Sequence, residues 1–121
     1  MKAYSSPFFS GSGDLVVTAF EFAADGTIEG YLHGSQVSII RSDGPATGTG
    51  PRLHRHPYEE TFVIHSGRAL FTVGEDQLVA GGGQLLVVPA LIPHRFEVLD
   101  GGRYVATHIH AHDRFVTEWL D

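Results

Sequence analysis

The sequence predicts an all-β protein, a sandwich or closed barrel of mostly antiparallel strands, on two observations. Short stretches rich in Val, Ile, Phe and Thr recur between clusters of Gly, Pro, Asp and Ser. The spacers "HSGRA", "VGED", "VAGGG" and "LDGG" carry glycine and have hairpin length, so neighbouring strands should turn back on one another. At 121 residues, with 42% hydrophobic residues and 15 glycines, the chain suits one domain over residues 1–121, with a single core and many tight turns.

Taken in order, "LVVTAFEF" (15–22) and "QVSIIR" (36–41) read as the first strands. The segment "SDGPATGTGP" (42–51) lacks both apolar periodicity and strand formers, and loops of this kind often frame a site. Strands resume with "TFVIHS" (61–66), "ALFTV" (69–73), "QLLVVP" (84–89), "HRFEVL" (94–99) and "RYVATHIHA" (103–111). At the end, "DRFVTEWL" places Phe115, Val116, Trp119 and Leu120 on one helical face, with Asp113 as N-cap, and predicts a short C-terminal helix.

Charge and composition narrow the function. Eight Lys plus Arg against 14 Asp plus Glu give a net charge of -6, with the basic residues scattered, which argues against a nucleic-acid partner. Cysteine is absent, so any metal must be held by N and O donors. No apolar run is long enough to cross a bilayer, and "MKAYSSPFFSGSGDLVV" has no continuous apolar core of a signal peptide; no membrane partner and a cytoplasmic location are the expectations. A P-loop, a GxGxxG after a strand and a GxSxG elbow are all missing, and "GSG" at 11–13 reads as a turn.

Eight histidines, at 33, 54, 56, 65, 94, 108, 110 and 112, raise the question of a metal. In "HRHPYEE" (54–60), strand alternation puts His54 and His56 on one face and favours Glu60 over Glu59 for the same face. Two imidazoles and a carboxylate suit a borderline divalent ion but invite a fourth donor, for which His94 is the candidate. On spacing alone, the same stretch reads equally well as a solvated strand end.

The wider pattern adds to this reading. "GTGPRLHRHPYEETFVIHSG" (48–67) has Gly, five residues, His-x-His, three residues, Glu, six residues and Gly, and resembles the first signature motif of the cupin superfamily. "GQLLVVPALIPHRFEV" (83–98) resembles the second motif, with Leu91 where the family usually has glycine and Val98 where it usually has asparagine. The tail "FVTEWL" also looks like the end of small bacterial cupins. The resemblance implies a double-stranded β-helix (jelly roll, cupin barrel), a homodimer, and His54, His56, Glu60 and His94 as ligands of one divalent ion: Fe, Mn, Ni, Zn or Cu. It implies a metal-dependent enzyme acting on a small oxygen-chelating substrate, dioxygenase-like or isomerase-like, or alternatively a non-catalytic small-ligand-binding cupin.

Phe62, Ile64, Phe96 and Val98 share strand parity with these ligands and are expected to line an apolar pocket, together with Leu91. Leu91 in place of glycine predicts a different turn ahead of His94. Tyr58 has ligand parity and belongs to the pocket or, beside Pro57, to its rim. Arg52 is placed at the entrance and Arg55 outside. In "HIHAH" (108–112), Val105, Thr107, Ile109 and Ala111 read as the core face and the three histidines as outward, with His108 or His110 as a pocket acid or base the alternative. His33 and His65 read as structural or exposed.

Overall fold

The computed structural model describes residues 17–121, which form two five-stranded antiparallel sheets. The strands are β1 (Thr27–Ile28), β2 (Ser38–Asp43), β3 (His54–Arg55), β4 (Glu60–Ser66), β5 (Arg68–Val73), β6 (Asp76–Gly81), β7 (Leu85–Val88), β8 (His94–Val98), β9 (Val105–His110) and β10 (Glu118–Trp119), with one 3₁₀ turn at Gly30–Leu32. One sheet has the order β1-β2-β9-β4-β7 and the other β10-β3-β8-β5-β6. Successive strands β3 to β8 alternate between the sheets apart from the β5–β6 hairpin, which gives the jelly-roll arrangement that the motifs implied.

Burial follows the period of two that a half-buried strand demands. From His54 to Glu60 the even positions are buried and the odd ones are not; Phe62 and Ile64 on β4, Phe71 on β5, Val98 on β8, and Tyr104 with Ala106 around the start of β9 continue the inward face. These side chains form one core cluster between the sheets, with Phe62 and Phe71 edge-on at 5.0 Å. Each such large side chain contributes about 1.5–3 kcal/mol on burial.

Three expectations are corrected. The C-terminal segment forms no helix: Glu118 and Trp119 pair with Arg55 and His54, Leu120 donates its N–H to the Leu53 carbonyl at 3.0 Å, and Arg55 meets Glu118 at 2.7 Å. An isolated two-turn helix is costly to nucleate, whereas the free edge of β3 offers backbone partners at once. The inward face of β9 is the opposite of the one expected, carrying Ala106, His108 and His110. Its register against β4, Phe62 with His108 and Glu60 with His110, fixes this choice. Of "LVVTAFEF", residues 17–22 carry no strand, while residues 15 and 16, like the turn at 11–13, lie outside the described residues. The hairpin strand β6, unforeseen from the sequence, has four exposed residues and so little burial pattern to read.

Candidate metal centre

Three strands from two sheets, with the turn that follows β3 and carries His56, bring His54, His56, Glu60 and His94 together. His54 and His94 are directly paired across β3 and β8, while Glu60 opens β4 on the facing sheet. Each of the four offers one ligand atom, and these atoms all lie within 4.8 Å of one another, in residues that are 7%, 3%, 4% and 3% exposed.

Each imidazole is held by a backbone carbonyl at its Nδ1: His54 by Arg52 at 2.7 Å, His56 by Val116 at 2.8 Å, and His94 by Ile92 at 2.9 Å. A carbonyl only accepts, so each Nδ1 carries the proton and each Nε2 keeps its lone pair. Glu60 Oε1 lies 3.1 Å from His56 Nε2 and 3.2 Å from His94 Nε2. The His56 Nε2 atom is sealed from solvent and makes no in-line hydrogen bond, although Glu60 is close. A buried nitrogen lone pair aimed at a carboxylate calls for a cation between them, and the N₃O donor set fits a divalent first-row metal.

Behind these four residues lies a further pair. His110 Nε2 is 3.2 Å from Glu60 Oε2, and the Tyr58 hydroxyl is 2.6 Å from His110 Nδ1. The Tyr58 ring also stacks on His56 with centroids 4.9 Å apart. Burial would raise the Glu60 carboxyl, yet its imidazole neighbours, His110 foremost, outweigh it and hold the group below the usual carboxylate range. Burial pushes the Tyr58 hydroxyl up to about 12, so it stays protonated. His54 is lowered, chiefly by burial, which favours the neutral imidazole that a metal needs.

A cavity of about 500 Å³ opens onto this cluster, lined by His54, His56, Glu60, Phe62, Phe96 and His108 among others. Of the six side chains expected to line it, Phe62 and Phe96 do so. Ile64 and Val98 share their parity but sit farther along the strands in the packed core. Tyr58 is buried behind His56 and His110 rather than at a rim. Leu91 is 56% exposed, in a surface depression beside Arg55 and Pro57, away from the cavity. Its φ of 67° lies in the left-handed region that favours glycine, here adopted by a leucine. Arg52 stacks its guanidinium 4.9 Å from the centre of the Trp119 ring, and Arg55 is bound outside to Glu118.

His108 and His110, read as outward from the sequence with a pocket role as the alternative, line the cavity, and so does the segment carrying Phe115, Thr117 and Trp119, which sequence reasoning missed. His112 and His65 are exposed, as expected. His108 is 4% exposed, its Nε2 lies 3.1 Å from the Tyr104 hydroxyl, and it is lowered to about 4 by burial. Among the described residues no helix is long and apolar enough to cross a membrane.

Comparison with known proteins agrees with this architecture. The family model described as "Cupin domain" matches residues 44–110. A mutant of oxalate decarboxylase from Bacillus subtilis superposes with a TM-score of 0.68 at 20% identity, over 78% of this chain and 27% of that one. This chain therefore spans little more than a quarter of the length of the decarboxylase. A cupin superfamily protein from Desulfitobacterium hafniense gives 0.58 at 21% identity, covering 64% and 68%, and an oxalate oxidase in complex with the substrate analogue glycolate gives 0.64 at 16%, covering 81% and 57%. Among curated proteins no match is found. The family match covers more than half of the chain, its boundaries enclose all four clustered residues, and the two-sheet fold is that of the similar structures: the chain belongs to the cupin family.

Proposed function

We propose that residues 1–121 act as one cupin domain in which His54, His56, Glu60 and His94 hold a single divalent ion (Fe, Mn, Ni, Zn or Cu), and that the protein is a metal-dependent enzyme for a small oxygen-chelating substrate, dioxygenase-like or isomerase-like. The observation that carries this reading is the common anchoring of three imidazoles by backbone carbonyls, which leaves three Nε2 lone pairs and Glu60 Oε1 converging on one point. A bound divalent ion would supply Lewis acidity there, and redox capacity where the metal permits it. Glu60 reduces the charge of the centre to roughly +1, which favours an anionic oxygen ligand. Phe62 and Phe96 give the inner wall apolar faces, and His110 Nε2 lies 3.2 Å from the outer carboxylate oxygen. Oxalate and glycolate, named with the similar structures, are small oxygen-chelating acids and agree with this substrate class.

A non-catalytic ligand-binding role is the second reading. It is favoured by the walls of the cavity: beyond the four clustered residues, its buried ionisable side chains are His108 and His110, and a tyrosine hydroxyl engages each ring. Elemental analysis of protein purified without added metal, repeated on His54→Ala and His94→Ala, tests the centre. The wild type should retain close to one ion per chain and the variants far less; equal metal contents would end the assignment. Oxygen uptake or product formation by the loaded protein with candidate substrates then separates enzyme from binder. Exposed Leu78, Val79, Leu85 and Val87 on edge strands β6 and β7 support the homodimer, which sedimentation measurements check.

A further inference from the structure

Beside the metal centre, one buried imidazole of the cavity keeps a ring nitrogen uncommitted. His108 is the neighbour of Phe62 in the β4–β9 register, one strand repeat beyond the Glu60–His110 pair. Its ring lines the cavity between two aromatic faces, 4.6 Å from Phe62 and 5.3 Å from Phe96, both edge-on. The repeat of an antiparallel strand puts it about 7 Å from the level of the metal cluster.

The protonation of this ring follows from its partner. The Tyr104 hydroxyl, 1% exposed, has His108 Nε2 as its one hydrogen-bond partner among the described residues, at 3.1 Å. A buried hydroxyl proton without an acceptor costs about 1–3 kcal/mol. Tyr104 therefore donates to Nε2, and in the neutral ring the proton sits on Nδ1. Nδ1 has no partner among the described residues, and it is not among the polar atoms sealed in protein, as the Nε2 atoms of His56 and His110 are. It faces the open space of the cavity as a neutral N–H donor.

We infer that His108, with its tautomer set by Tyr104, donates a hydrogen bond to the bound molecule, which is thus a small ring-bearing oxygen ligand with a second, uncharged acceptor oxygen about 7 Å from its metal-bound oxygen. The inference rests on the reading that a ligand oxygen binds the metal. Phe62, Phe96, Phe115 and Trp119 supply apolar walls for the ring. Asp25, Arg41 and Asp43 also line the cavity, but His108 is flanked by Phe62 and Phe96, and beside those rings an uncharged carbonyl matches the neutral donor without stranding a charge. His108 makes this contact as a specificity residue, and Tyr104 acts through it as a positioning residue.

The test uses full-length protein reconstituted with zinc(II), which is redox-inert and keeps the measurement at equilibrium. Three probes are titrated calorimetrically: benzoate, 4-acetylbenzoate, and 4-isopropylbenzoate, which matches the acetyl compound in size but lacks its acceptor. Wild type should prefer 4-acetylbenzoate over 4-isopropylbenzoate by about tenfold or more, the value of one buried hydrogen bond with its donor otherwise stranded. In His108→Phe that ratio should fall to about one, and in Tyr104→Phe, where the ring is free to change tautomer, to an intermediate value. Nitrogen-15 NMR of wild type should show the His108 proton on Nδ1, shifting toward a mixture in Tyr104→Phe. Binding of benzoate without preference, a preference that survives His108→Phe, or a proton found on Nε2 would overturn this inference alone. No binding of benzoate to the zinc-loaded protein would overturn the metal-bound-ligand reading and this inference with it.

Discussion

The Tyr58 hydroxyl lies 2.6 Å from His110 Nδ1 and also receives the Val116 N–H at 3.3 Å. With one acceptor site taken by a backbone donor, the hydroxyl proton goes to His110 Nδ1, which places the remaining imidazole proton on Nε2, 3.2 Å from Glu60 Oε2. His110 thus has the tautomer opposite to that of His54, His56 and His94. Its Nε2–H faces the carboxylate, without an in-line bond, where the other three present lone pairs. Tyr58→Phe leaves every clustered donor in place but releases this arrangement. Metal affinity should fall by about tenfold, in the range found when partners of metal ligands are removed, and competition with a chromophoric chelator measures it. An unchanged affinity would mean that the Tyr58–His110 contact only packs the core.

How far the site could be read from the sequence depended on whether the deciding contact was local. His54, His56, Tyr58 and Glu60 are all buried and their odd-numbered neighbours are not, so strand alternation sufficed there. His94 needed the longer motif, because its partner His54 lies on another strand. The inward face of β9 was not legible: histidines alternate with Thr107 and Ile109, and either set makes a plausible core until the pairing with Glu60 and Phe62 is known. The C-terminal segment was ambiguous in period. Phe115, Val116, Trp119 and Leu120 fit a helix, but Phe115, Thr117 and Trp119 also fit a strand and line the cavity.

Burial lowers His108 to about 4 from an ordinary value of 6.5, and this carries a pH dependence of stability. The folded-state value is depressed, so the unfolded chain binds the extra proton first as pH falls. The neutral ring's contribution is intact above about pH 6.5 and is lost progressively down to about pH 4, a change on the order of 3 kcal/mol for this group. Chemical denaturation at a series of pH values should therefore show stability rising with pH across that window. In His108→Phe the slope should be shallower by roughly this share; equal slopes would show that His108 does not titrate as described.

Leu91 is the single non-glycine residue with positive φ among the described residues, at 67°, in the turn that leads into His94. A left-handed backbone costs a branched L-residue about 1–2 kcal/mol, and the exposed side chain recovers little by packing. Its N–H donates to the His56 carbonyl at 2.7 Å, a bond that does not depend on the side chain. Leu91→Gly removes the strain and adds about 0.5–1 kcal/mol of chain entropy cost, so a net stabilisation of up to about 1 kcal/mol is expected. A higher denaturation midpoint with an unchanged m-value is the outcome that checks it, and a lower midpoint would mean that the leucine contributes packing at this turn.

Two glycines in the loop before His54 differ in why they are needed, and their alanine variants should separate accordingly. Gly48 has φ of 86° with nothing within 4 Å of an added Cβ, so Gly48→Ala meets backbone strain alone, about 1–2 kcal/mol. Gly50 has no such φ, but a Cβ there would stand 1.8 Å from the Phe96 carbonyl oxygen and 2.8 Å from its carbon. Those atoms belong to β8, the strand that carries His94, and the loop is stitched to its end where Gly48 donates to the Val98 carbonyl at 2.7 Å and Thr49 accepts from the Val98 N–H at 2.9 Å. Backbone cannot rotate away as a side chain can, so Gly50→Ala must push the loop off β8 at a cost of about 3 kcal/mol, the upper end of the usual overpacking range. Because His54 follows four residues later and pairs with His94, the displacement should also lower metal affinity, which Gly48→Ala should leave near the wild-type value. Denaturation and chelator competition on the two variants measure both effects, and equal losses would show that conformational freedom, not closeness to β8, is what both positions require.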